Sequence, residues 1–117
     1  MALARDANGN VAQALQPIDG SLQRVSPTAG NASRVTLGNP ARACVVGVRV
    51  RSPGGIGHVR LGDAAVAAAV TDFPLTSDDG WMFISLSGKT GADKKMVTHL
   101  SLYAETLTVQ ADIVELE

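Results

Sequence analysis

The sequence predicts an all-β fold, an antiparallel β-sandwich or jelly-roll-like barrel with an extended N-terminal arm. Two observations carry that prediction. Apolar and polar residues alternate at a period of two in several short stretches, the pattern of strands buried on one side. The stretches recur at roughly ten-residue intervals, with Gly, Pro, Asn and Asp between them. Helical spacing fits poorly: over Arg42 to Arg51 it would place Arg49 or Arg51 among the valines. No repeat of solenoid or propeller period is visible.

Residues 1–33 are rich in Gly, Asn, Ser, Pro and Ala, with apolar residues thinly spread. Asn8-Gly9 and Asp19-Gly20 are turn signals, because both residue types tolerate positive φ. Val11 to Leu15 between them suits a short strand or one helical turn, and Pro17 and Pro27 limit regular structure. This segment reads as an extended arm with brief strand pairing, or as a partly disordered terminus. Residues 34–117 read as the sandwich domain.

Within that domain Arg34 to Leu37 is a short strand ended by Gly38-Asn39-Pro40. Arg42 to Arg51 is the clearest strand, with Cys44, Val46, Val48 and Val50 on the inward face. Ser52 to Gly55 makes a turn, and His58 to Leu61 alternates again with Val59 and Leu61 inward. Ala64 to Val70 suits strand or loop, and 73–80 reads as a long connection. Trp81 to Leu86 is a strand with Met82, Ile84 and Leu86 on one face; Ser87 to Lys95 is a polar loop. Val97 to Ala104 turns Leu100 and Leu102 inward, and Leu107 to Val114 closes the chain with Leu107, Val109, Ala111 and Ile113 inward. The short Glu105-Thr106 link predicts an antiparallel hairpin between these last two strands.

Composition narrows the function. A chain of 117 residues suggests one domain. Aromatics are only 3%, so the core is aliphatic and its stability modest or shared with a partner. A net charge of −1 argues against a dedicated nucleic-acid binder. The lone Cys44 allows no internal disulfide, and no apolar run is long enough for a transmembrane helix. The opening residues lack the apolar core of a signal peptide, so synthesis and folding in the cytoplasm are expected.

Catalytic chemistry is not expected. His58 and His99 fall on outer strand faces, where they read as exposed structural residues, and Cys44 reads as a small core hydrophobe. Asp6, Asn8 and Asn10 open a calcium-loop pattern, but Val11 and Pro17 stand where that loop needs Gly and Glu. Gly88-Lys89-Thr90 lacks the upstream glycine of a phosphate loop, and Pro53 to Gly57 is a Gly-rich strand connection. No cofactor or metal is implied. Arg49, Arg51 and Arg60 are expected to project from one side of neighbouring strands, either as a solvated face or as a basic strip meeting an acidic partner.

The run Arg5-Asp6-Ala7-Asn8-Gly9-Asn10-Val11-Ala12-Gln13-Ala14-Leu15-Gln16-Pro17 resembles the opening of small virion proteins of tailed bacteriophages, of the type R-D-x-N-G-x-x-x-Q-x-L-x-P. Thr108 to Glu115 is similar to their final strand, T-V-x-x-x-x-V-E, and the Ala, Val, Gly and Thr richness is shared. The resemblance implies a non-enzymatic capsid decoration (cement) protein or a related head or fibre component. Its implied partner is the major capsid protein, its implied state a homo-oligomer, with a trimer favoured, and its implied place the virion surface. Docking is expected through the arm, with Arg5, Asp6, Asn8, Val11 and Leu15, and through Arg49, Arg51 and Arg60. The alternatives are a head or tail fibre or connector component, or a carbohydrate-binding, adhesin-like module on the aromatic residues Trp81, Phe83 and Tyr103.

Overall fold

A computed structural model describes residues 3–5, 11–13, 16–39, 43–86 and 97–117. It is an antiparallel β-sandwich. Strands β1 (Leu3–Arg5) and β2 (Val11–Gln13) form a small hairpin; β3 (Gln23–Val25), β4 (Ala32–Thr36), β5 (Val45–Val50), β6 (Ile56–Gly62), β7 (Phe73–Thr76), β8 (Trp81–Ser85), β9 (His99–Ala104) and β10 (Ala111–Leu116) build the two layers. The first sheet has the order β3-β10-β5-β8 and the second β4-β9-β6-β7.

The alternation read from the sequence sets the interior. Val46, Val48 and Val50 from β5 meet Leu100, Leu102 and Ala104 from β9, with Val59, Leu75, Val109 and Ile113. Met82, Ile84 and Leu86 pack against this cluster from β8. β-Branched and Leu side chains fill a pleated interface well, so the aliphatic core needs no aromatic ring. Gly57 marks a close approach in this core: a Cβ there would lie 2.9 Å from Leu102 Cδ1.

Three sequence expectations change. Residues 16–33 are woven into the sandwich: Pro17 bridges Leu116, Ile18 is buried, β3 pairs with β10, and β4 begins at Ala32. The expected arm is thus structured from Gln16 onward, because the buried Ile18 and Val25 anchor it. The stretch 73–76 is the edge strand β7, not a connection; Pro74 is tolerated because an edge strand need not donate on its outer side. Of the two readings for 64–70, strand or loop, the structure has the loop.

The expected hairpin between the last two strands does not form. The chain crosses from β9 in the second sheet to the first, where β10 inserts between β3 and β5. Val109, Ala111 and Ile113 face the core as expected, but Leu107 lies in the crossing and is exposed. Alternation fixes a strand's face and not its neighbour.

Candidate binding surface

One row of outward side chains runs across the whole first sheet. Register aligns Arg24 on β3, Asp112 on β10, Arg49 on β5 and Trp81 on β8. Asp112 is 3% exposed. Arg49 Nη2 donates to its Oδ2 at 2.8 Å, while Arg24 Nε and Arg51 Nη1 lie 3.4 and 3.6 Å from Oδ1. Three guanidinium groups therefore share one carboxylate, which leaves a local excess of positive charge on a chain whose net charge is −1. Arg49 also sits 4.8 Å above the Trp81 ring, a cation–π contact.

The row on one side, Val114, Gly47 and Phe83, is apolar. The Phe83 ring crosses to β5 and lies over Gly47, where a Cβ would stand 3.1 Å from Phe83 Cε1 and 3.0 Å from Val114 Cγ1. Trp81 and Phe83 run nearly parallel, with centroids 6.4 Å apart and an interplanar angle of 16°. Beside them Pro17, Leu22, Val114 and Leu116 complete a groove of about 420 Å³. Phe83 and Leu22 are more than half exposed. Aromatic and arginine side chains around an apolar centre are the composition of protein-binding hot spots.

The opposite face is covered at its centre. The loop 64–72 folds over the second sheet, with Val66 and Ala68 buried and the Ala68 N–H bonded to the buried Ser101 Oγ at 2.9 Å. His58 was expected to be exposed; it is on the outer face but 5% exposed beneath this loop. Its Nδ1 bonds the Asp72 carbonyl at 3.0 Å, and its Nε2 lies 3.0 Å from Glu105 Oε2. The histidine clips the loop to the end of β9. His99 is half-buried and bonds the side chains of Thr36 and Thr98.

The residues singled out from the sequence separate in space. Arg49 and Arg51 converge on Asp112, but Arg60 projects from β6 in the second sheet. The expected three-arginine strip is corrected accordingly: His58 to Leu61 pairs with β9 and β7, and the third cation beside Asp112 is Arg24. Arg5 and Val11 are paired across the β1–β2 hairpin; Asp6, Asn8 and Leu15 lie outside the described residues. Cys44 is half-buried just before β5, with Sγ 3.7 Å from the Leu116 carbonyl. The Gly-rich connection is a tight turn with Gly54 at φ 75°. Among the described residues no group of three His, Cys, Asp or Glu side chains could hold a metal, and no helix is long and apolar enough to cross a membrane. Leu22, Arg24, Trp81, Phe83 and Asp112 form the surface that sequence reasoning did not assemble. Their signal was present in the polar positions of alternating strands, but only the strand order brings them together.

No family model, curated protein or solved structure matches this chain.

Proposed function

We propose that this chain is a capsid decoration protein of a tailed bacteriophage, a non-enzymatic module that docks on the outer shell as an oligomer. The similarity of its two ends to small virion proteins supports the reading. The observation that carries it is the outer face of the first sheet, where the apolar groove at Phe83 adjoins the arginine cluster at Asp112. The excess of guanidinium groups suits an acidic partner, so the occupant is a segment of the major capsid protein that presents an apolar side chain next to a carboxylate.

Quantitative mass spectrometry of purified particles tests this. Hundreds of copies per particle are expected of a shell decoration, a dozen of a fibre or connector component. Absence from the particles removes the virion reading. Phe83→Asp puts a charge on the exposed ring position without entering the core, and is expected to abolish binding to undecorated capsids. Wild-type binding by a folded variant would move the docking site elsewhere.

The parallel Trp81 and Phe83 rings also favour a second reading, a saccharide platform. Arg49 covers one face of the indole, which removes stacking area. A glycan array with hits lost in Trp81→Ala would favour that reading over decoration.

A further inference from the structure

The outer face of the first sheet also holds a hollow that shares no lining residue with the Phe83 groove. Val25, Ala111 and Val50 pair across β3, β10 and β5 and point inward, so the residues on either side of them point outward. Arg24 and Asp112 stand on one side. Ser26, Gln110 and Arg51 stand on the other, where the Arg51 N–H donates to the Gln110 carbonyl at 2.7 Å. Their side chains line a polar hollow of about 190 Å³.

Asp112, with its side chain 4% exposed, lies deepest of the charged groups there. Its Oδ2 accepts the 2.8 Å bond from Arg49, on the Trp81 side. Its Oδ1 is buried and has no hydrogen-bond partner among the described residues. Arg24 Nε and Arg51 Nη1 lie 3.4 and 3.6 Å from it, near enough for attraction but not placed to bond it. A buried acceptor without a donor is costly, and native structures leave few of them. The flanking guanidinium groups sit at the rim, with side chains 71% and 37% exposed, and can only donate. The hollow therefore offers an anion two cationic donors, and at its base an acceptor in need of a proton.

That combination selects among anions. Sulfate at neutral pH brings acceptors alone and would set a lone pair against Oδ1. Inorganic phosphate keeps at least one proton there, so a P–OH donates to Oδ1 while the other oxygens accept from Arg24 and Arg51. A phosphomonoester has mostly lost its last proton at that pH. Access to Oδ1 requires Arg24 to turn outward, and its exposed side chain is the one placed to do so. The Ser26 hydroxyl and the Gln110 carboxamide add neutral donors at the rim.

We infer that this hollow binds inorganic phosphate in a protonated form, held by Arg24 and Arg51 and read by Asp112 Oδ1. The inference stands apart from what docks in the Phe83 groove, where the neighbouring guanidinium is that of Arg49 over Trp81.

Isothermal titration calorimetry of the purified full chain with inorganic phosphate, at neutral pH and fixed ionic strength, tests it. Saturable binding at one site per chain is expected, with sulfate weaker by about tenfold or more, since it brings no donor to Oδ1. Phosphoserine is expected to bind as weakly as sulfate. Arg24→Gln removes one guanidinium and is expected to weaken phosphate binding by about tenfold. Asp112→Asn lets the amide oxygen take the Arg49 bond and turns the amide N–H groups to the hollow, so phosphate and sulfate are expected to bind within about threefold of each other. No saturable binding of phosphate would overturn the inference. Equal binding of phosphate, sulfate and phosphoserine to the wild type would overturn it too, because that is the response of a general cationic surface. Neither result depends on whether Asp112→Asn folds.

Discussion

Asp112→Asn keeps the shape of the side chain and removes the charge that three arginines share. The largest loss is the 2.8 Å bond from Arg49, whose acceptor side chain is only 4% exposed. A hydrogen bond to a charged group contributes about 1.5–3 kcal/mol. The Arg24 and Arg51 contacts, at 3.4 and 3.6 Å, come from side chains 71% and 37% exposed, so solvent screening reduces each to about 0–1 kcal/mol. The three guanidinium groups would then repel one another with no anion between them. The expected cost is about 2–3 kcal/mol, which for a domain of 117 residues lowers Tm by roughly 8–12 °C. Urea denaturation of the variant and wild type measures it. Raising salt is expected to narrow the gap, because the remaining repulsion is screened within about 3 Å at 1 M. Arg24→Gln is expected to cost under about 1 kcal/mol. A loss below about 0.5 kcal/mol for Asp112→Asn, or an equal loss for Arg24→Gln, would refute the account of one short bond and two weak ones.

Gly57→Ala puts a methyl group 2.9 Å from Leu102 Cδ1 and 3.4 Å from Val109 Cγ1, both in the fully packed interior, and is expected to cost about 1–3 kcal/mol in urea denaturation. His58→Ala leaves the Asp72 carbonyl without its partner and frees the loop over the second sheet; a loss of about 1–3 kcal/mol is expected, with faster limited proteolysis within residues 64–72. Unchanged proteolysis would show that the clip does not hold the loop.

Much of the fold is legible because period two is a local property. Val46, Val48 and Val50, Met82 and Ile84, and Leu100 and Leu102 face inward as their alternation requires. What escapes local reading is strand partnership. The short link after Ala104 looks like a hairpin, yet β10 is claimed by β3 and β5, where Asp112 meets Arg24 and Arg49. Exposure of a polar face is equally non-local: His58 and Ser101 alternate outward, and only the Ala-rich loop 64–72 covers them. The binding surface escapes for the same reason, since Arg24 and Trp81 become one row only once four strands are ordered.

The place of β10 has a consequence for how the chain comes together. It follows every other described strand in sequence, yet it lies inside its sheet, between β3 and β5. Ser21 and Glu115 exchange hydrogen bonds across 94 residues of sequence. Until that strand arrives, β3 has no partner in its sheet among the described residues, and β5 lacks its neighbour on one side. Closing so long a loop is an entropic cost met late, which places the domain among slow, non-local folders. During synthesis the β5 edge, Val-Val-Gly-Val-Arg-Val, waits for β10, and the nascent chain is most exposed to misassembly in the interval before Ala111–Leu116 appears.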